Sequence, residues 1–339
     1  MIPRLDIRFP LKRQIQYWCG SEYEPCEGEY LLNHARTGIV MALRASLPNG
    51  GRVGVMAYNC HTVANAVVNA GCTPVFVDVT EDLHVDVESV PVDLNAIVVT
   101  NLFGLRNDVE AIRKRCPGAV VIVDNAHGYG LPVEGDFAVY SINQGKFPAL
   151  GPGGILVVSL KLPKITQQFL DNQYAALPKY GFVAQCKLFA QMWARAVAYS
   201  KLCYWLVRKL KKNSSPKVHD EVAMKQMASG IRRLYRYALP EITAMIERQI
   251  QNVEAIKALV TGNRKLDIED WIVGENAFMA VVRTDEPNAL KKQYAERGVE
   301  TETHFKHCIE WAEEFGYVRG TCPKAEMLVN HLLMIPTYF

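Results

Sequence analysis

Between Ala119 and Gly154 the chain reads AVVIVDNAHGYGLPVEGDFAVYSINQGKFPALGPGG, and no other stretch limits the architecture as much. Ala119 to Val123 is apolar without alternation, the pattern of a strand buried on both faces of a parallel sheet, and it ends in Asp124. Phe137 to Ser141 is a second such run. It is followed by Asn143, Gln144, Gly145 and Lys146, then by Gly151, Gly153 and Gly154 before a third apolar run, Ile155 to Val158. An acid at one strand end and a lysine just past the next are thereby carried to one edge of one sheet. Left in solvent, Lys146 is an ordinary charged loop residue. Folded inward, its amine becomes a nucleophile, because desolvation lowers a lysine's pKa and favours Schiff-base chemistry.

The flanking segments continue the alternation of strand and helix. Leu32 to Ser46 opens polar and runs into a helix with Ile39, Val40, Leu43 and Leu47 at helical spacing. The first turn of such a helix presents unpaired N–H groups and the positive end of its dipole, a natural seat for a phosphate, although a plain capped helix has the same signature. Arg52 to Met56 (strand), Thr62 to Ala70 (helix) and Pro74 to Val79 (strand) make a right-handed β-α-β unit, and Ala96 to Thr100 with a helix over Asp108 to Arg115 extends it. The prediction is an α/β protein with a three-layer α/β/α large domain. Ala277 to Arg283, a helix over Pro287 to Arg297, Val299 to Thr303 and Leu332 to Pro336 predict a smaller C-terminal α/β domain. The division falls at residues 1–240 and 241–339, with a helical insertion at about 160–217. Residues 1–30 read as a short lead-in.

Composition narrows the class. A net charge of +3, evenly spread, does not point to nucleic acid. The N-terminus lacks an apolar core of signal-peptide length, and no stretch supplies the roughly 20 apolar residues of a membrane span; a cytoplasmic protein is expected. Nine cysteines without a CxxC pair favour free thiols. His304, His307 and Cys308 have no second ligand pair at suitable spacing, so no metal is expected.

A lysine amine and an aspartate on neighbouring strand ends match the needs of pyridoxal phosphate (PLP): an amine to hold the aldehyde and a carboxylate to keep the ring nitrogen protonated as an electron sink. The same residues carry a resemblance. Asp124-Asn-Ala-His127, Gly135-Asp136, Ser141 with Lys146 five residues on, and Gly153-Gly154 resemble the DegT/StrS-type nucleotide-sugar aminotransferases, PLP enzymes of fold type I in the aspartate aminotransferase superfamily. VGVMAYNCHTVANAVVNAGCTPVFVDV and the NLFG of Asn101 to Gly104 are similar to further segments of that family. The likeness is good over about residues 32–160 and looser beyond.

The resemblance implies a set of roles. Lys146 is the Schiff-base lysine and Asp124 the partner of the pyridine nitrogen. His127 contacts the ring face or its phenolic oxygen, and Ser141 and the helix start at Arg36 and Thr37 hold the phosphate. Three places depart from the family pattern. Its Gly-Thr phosphate element aligns with Ala35, Arg36 and Thr37. Its ring-stacking aromatic aligns with Cys60, followed by His61, which either stacks in its place or faces solvent while Asn59 caps the helix. Its asparagine and arginine, which reach the neighbouring subunit's site, align with His219 and Glu221 in a predicted helix, His219 to Leu234.

The implied function is transfer of an amino group from an amino acid, glutamate being the expected donor, to a keto sugar activated by a nucleotide. Lys146 argues against a dehydratase of the same family, in which a histidine replaces the lysine. The rival is a non-catalytic or regulatory member that docks on a partner or a membrane surface. Its warrant is Phe182 to Leu210, a long helical stretch with a narrow cationic arc and a broad apolar side, ending in the loop Asn213 to Pro216. The plainer account of that stretch is a helix packed on its own domain and on a second subunit of a homodimer.

Overall fold

A computed structural model describes residues 9–198, 200, 218–261 and 271–337. The large sheet consists of β1 (Glu29–Leu32), β2 (Arg52–Met56), β3 (Thr73–Val77), β4 (Ala96–Thr100), β5 (Val120–Asn125), β6 (Phe137–Ser141) and β7 (Gly154–Val158), in the order β1-β7-β6-β5-β4-β2-β3. The strands from β6 to β3 run parallel; β7 is antiparallel to β6, and β1 to β7. The apolar runs on β4 and β6 form strands over the residues that periodicity predicts, because a fully buried parallel strand has no polar face to blur its ends.

The two faces of the sheet are read directly from residue parity. Ala96, Val98, Ile122, Phe137 and Val139 pack beneath α2 (Ala35–Ser46) and α3 (His61–Asn69). Ile97, Val99, Val121 and Val123 face Ile112 of α4 (Val109–Arg115) together with Phe278 and with Met279, Val281 and Met334 of the smaller sheet. α4 starts where Asp108 caps it, its side chain accepting from the Ala111 N–H at 2.9 Å. Burying each of these aliphatic side chains contributes about 1.5–3 kcal/mol, which fixes the register that sets the strand ends.

The smaller sheet has β8 (Trp271–Val273), β9 (Met279–Arg283) and β10 (Leu332–Pro336), antiparallel in the order β10-β9-β8. The predicted strand at Val299 to Thr303 is reduced to one bridge, Glu302 to Met334. Asp78, just past β3, ties the two parts together: Oδ1 accepts from the N–H of Val79 at 2.9 Å and Ala325 at 2.8 Å, and Oδ2 from Lys324 at 3.1 Å.

Two elements differ from the sequence reading. The lead-in contains a helix, α1 (Leu11–Cys19), as well as β1. Helix periodicity over His219 to Leu234 is not realised until Ser229, where the helix Ser229–Ala238 begins. Residues before it run extended along the free edge of β1: the Met227 N–H donates to the Leu31 carbonyl at 2.8 Å and the Asn33 N–H to the Lys225 carbonyl at 3.0 Å. Pairing with an open strand edge outweighs helix propensity there. The apolar stretch from Phe182, which follows α5 (Lys164–Ala176), forms α6 (Phe182–Ala198), and its continuation to Leu210 lies outside the described residues, as does the loop Asn213 to Pro216. α6 seats Leu188 and Met192 in the core beside Ile231 and Leu234 and packs Phe189 on Tyr17 and Trp18 of α1. No helix among the described residues is long and apolar enough to cross a membrane.

Candidate active site

In a parallel sheet, ligands bind outside the carboxyl ends of the strands where the strand order reverses. Here β3 lies to one side of β2 and β4 to the other, so that crevice opens at the ends of β2 and β4. A cavity of about 200 Å³ lies there, lined by residues from the ends of four parallel strands, from the start of α2 and by Phe305. Of the sequence-predicted residues it gathers Arg36, Cys60, Asp124, His127, Ser141 and Lys146. Thr37 and His61 are not among its lining. The Thr37 hydroxyl is turned inward to donate to Asn33 Oδ1 at 2.9 Å, and His61 packs edge-on against Trp311 with ring centroids 4.8 Å apart. Asn59 does not cap α3; its Oδ1 accepts from the Cys60 N–H at 2.7 Å and its Nδ2 donates to Thr100 Oγ1 at 2.8 Å.

Asp124 is buried at the end of β5, on the same face as Ile122, beneath α2. Its Oδ1 accepts from the Ala126 N–H at 2.9 Å and its Oδ2 from the Thr100 hydroxyl at 3.4 Å. Burial pushes its carboxyl above the usual range, against the opposing pull of the Ala126 amide, the Lys146 amine and Thr100. A carboxylate so placed is complementary to a cation entering the cavity.

Lys146 reaches the cavity from the turn after β6, where its N–H donates to the Asn143 carbonyl at 2.9 Å and Gly145 takes a φ of 132°. Burial lowers its ammonium pKa, with the Cys60 thiol and the Asp124 carboxylate opposing. Its Nζ lies 2.5 Å from His127 Nε2. The turn is braced from α6, whose Arg195 donates to Gln144 Oε1 at 3.2 Å.

Gly154 brings α2 to this site. It pairs with Ser141 of β6, and a Cβ on it would overlap the Ala35 nitrogen and the His34 carbonyl, so the first turn of α2 lies directly on the strand. His34 occupies the cap position of α2 without a side-chain cap bond, and Arg36 Nε is buried without a partner. A buried guanidinium nitrogen at a helix N-terminus inside a cavity is a seat for an anion. Periodicity did not single out His34, which lines the cavity and whose imidazole is lowered to about 4 by burial and by Arg36. Phe305 was missed as well, since it arrives from far along the chain with no local signal.

These residues fit PLP. The orphaned Arg36 Nε and the start of α2 suit a phosphate, the buried Asp124 suits a protonated ring nitrogen, and the Lys146 amine suits an aldehyde carbon.

The fold is that of the PLP-dependent aminotransferases. Spr1654 from Streptococcus pneumoniae in its PMP form is similar at a TM-score of 0.73 and 14% identity, over 100% of this chain and 94% of that one. The sugar aminotransferase CalS13 from Micromonospora echinospora is similar at 0.70 and 16%, over 100% and 95%. DesI, solved in the presence of its TDP-sugar product, is similar at 0.64 and 18%, over 91% and 75%. No curated protein sequence matches. The DegT/DnrJ/EryC1/StrS aminotransferase family matches residues 31–199, which hold β2 to β7 and all the cavity's lining residues except Phe305, and the chain belongs to that family.

Proposed function

We propose that this protein is a transaminase that takes an amino group from an amino acid, glutamate being the expected donor, and places it on a keto sugar carried by a nucleotide. The observation that carries the reading is the convergence of Lys146, Asp124 and Arg36 on one cavity at the strand-order reversal. DesI, similar in fold, was solved with a TDP-sugar product, which supports a nucleotide-linked substrate.

PLP, when bound, supplies an electron sink for the carbon that gains or loses the amino group. Lys146 Nζ, as a neutral amine, would hold the cofactor's aldehyde carbon and, when free, would be the base placed to take up and return a proton in the cavity. Asp124 holds the ring proton through its charge, and Thr100 and the Ala126 amide keep that carboxylate aimed. Arg36 and the first turn of α2 bind the phosphate, with Ser141 beside them in the cavity wall. Phe305 closes one side of the cavity, and Cys60 stands where the family places a stacking aromatic.

We also propose a homodimer as the working unit. On α1 and α6, which pack together through Trp18 and Phe182, Leu11, Ile15, Val183 and Trp193 remain exposed. Sedimentation should give twice the chain mass; a stable, active monomer would contradict this.

Two measurements test the activity. Borohydride reduction of the PLP-loaded protein, followed by peptide mass mapping, should place the pyridoxyl group on Lys146. Incubation with glutamate and a panel of keto-sugar nucleotides should yield 2-oxoglutarate and an amino sugar. Label on another lysine, or a coloured protein that aminates no member of the panel, overturns the reading.

A further inference from the structure

His127 is the most constrained side chain at the site. It is buried, its ring lies nearly parallel to Phe103 (centroids 5.2 Å apart, 29°) and Phe278 (5.0 Å, 29°), and Phe305 lies 6.0 Å away at 11°. Behind it, Asn276 Nδ2 donates to the His127 carbonyl at 2.9 Å and to the Tyr129 carbonyl at 3.1 Å, while Asn276 Oδ1 accepts from the Phe278 N–H at 3.1 Å. Three non-glycine residues of the surrounding loops adopt left-handed backbone: Phe103 (φ 54°), Ala277 (φ 47°) and Phe305 (φ 55°). Each such residue is strained and persists only where the surroundings over-determine it. Gly104 is part of the same device, with a φ of 83° and no room for a Cβ against Asn276 Oδ1.

Two hydrogen bonds decide what this imidazole can do. The Phe103 N–H donates to His127 Nδ1 at 3.2 Å. Nδ1 must therefore carry its lone pair, since a hydrogen there would face another N–H in a buried site. This excludes both the Nδ1–H tautomer and the imidazolium, and it leaves the hydrogen on Nε2. Nε2 in turn lies 2.5 Å from Lys146 Nζ. A donor at that distance requires a lone pair on the lysine, which an ammonium does not have.

We propose that His127 is a positioning residue for Lys146: locked as the Nε2–H tautomer by the backbone of Phe103, it donates to Nζ and is the resting partner that keeps the lysine unprotonated whenever the lysine is free of cofactor. This rests on the reading of Lys146 as the PLP lysine. The other titratable groups facing the pair are Cys60 from the start of α3, Asp124 from β5 and His304 beside the imidazole. Asp124 and the Cys60 thiolate favour an ammonium, so the Nε2–H donor and burial are what oppose them. Burial moves both groups in the direction the geometry requires, lowering Lys146 and holding His127 well below the ordinary imidazole range. With PLP bound, Nζ would be engaged by the cofactor and the Nε2–H would be left free to face the cavity.

The test uses the apoprotein. Nitrogen-15 NMR of labelled histidine, with His127 assigned by its loss in His127→Gln, should show the Nε2–H tautomer from pH 6 to 9, with no charging in that range. The pH dependence of PLP capture, followed by absorbance, should have the same midpoint in wild type and in His127→Gln. That amide can both accept from the Phe103 N–H and donate to Nζ. In His127→Phe, which keeps a flat ring in the stack but has no donor, the midpoint should rise by about one unit, a roughly tenfold slower capture at neutral pH. Lys146 should remain the residue labelled by borohydride in all three proteins. An Nδ1–H tautomer or an imidazolium, or an unmoved midpoint in His127→Phe, overturns the proposal. If His127→Phe does not fold, the wild-type tautomer alone decides it. Label on a different lysine in wild type instead defeats the assignment of Lys146 on which the proposal rests.

Discussion

Thr100 and Asp124 stand opposite each other on neighbouring parallel strands, and the Thr100 hydroxyl passes a hydrogen bond from Asn59 on to the Asp124 carboxylate. Three strand ends are thereby joined through side chains, and the acid at the centre has no freedom to turn away from the cavity. Replacing its charge without changing its shape isolates its chemical part.

Asp124→Asn should keep PLP bound, through Lys146 and the phosphate seat, yet transaminate poorly. Losing a buried charge-assisted hydrogen bond costs on the order of 1.5–3 kcal/mol, or roughly a tenfold to hundredfold loss of rate if it falls wholly in the transition state. Single-turnover reaction with glutamate reads this directly. A rate within about twofold of wild type would reduce Asp124 to a strand-end cap.

Lys146 leaves a mark on stability. Its folded pKa lies below the ordinary lysine range, chiefly through burial. Such a group contributes stability above its unfolded pKa and loses it as pH falls through the folded one. Between those values the apoprotein's stability, measured against Lys146→Met, should therefore rise with pH, by at most about 1.4 kcal/mol per unit. Urea unfolding of both proteins from pH 7 to 10 checks this, and parallel curves refute it.

Cys60 is the thiol to watch. Burial pushes it up, while hydrogen bonding with His61 and Thr62 pulls it down, and Thr62 Oγ1 donates to its sulfur at 3.1 Å. Iodoacetamide should alkylate Cys60 faster than any buried thiol of the folded protein, and PLP should suppress the reaction. Buried Cys308 and Cys322, raised to about 12, should stay unmodified in the folded protein. Peptide mapping distinguishes these sites.

Asp78→Ala removes the acceptor of three backbone N–H groups, two of them at the start of the helix Pro323–Leu328. The expected loss is about 1–3 kcal/mol in urea unfolding. Asp78→Asn, which keeps an accepting oxygen, should lose less.

The sequence shows its buried strands well and its edges poorly. Ala96–Thr100 and Phe137–Ser141 are legible to the residue because both faces are covered, so every position before the closing Thr100 and Ser141 is apolar or aromatic. β1 is hidden because Glu29 and Tyr30 open a strand at the rim of the sheet, where polar and aromatic side chains are tolerated. At the site, Lys146, Asp124, Ser141 and His127 follow strand ends, so topology alone brings them together. Thr37 shows where that reasoning stops. It occupies the right helical turn, but its hydroxyl has a closer partner in Asn33, and only side-chain packing reveals it. His34 and Phe305 line the cavity without belonging to any periodic pattern.

The extended residues ahead of Ser229 do more than connect two parts of the chain. Since β7 occupies one side of β1, the opposite side would otherwise offer a row of bare amides and carbonyls to any passing strand, and that row is covered by Lys225 to Met227 of the same molecule. A sheet this apolar is thus denied a template for growth at that border, and a substitution that peels the segment away, such as Met227→Pro, should turn an enzyme defect into an aggregation defect.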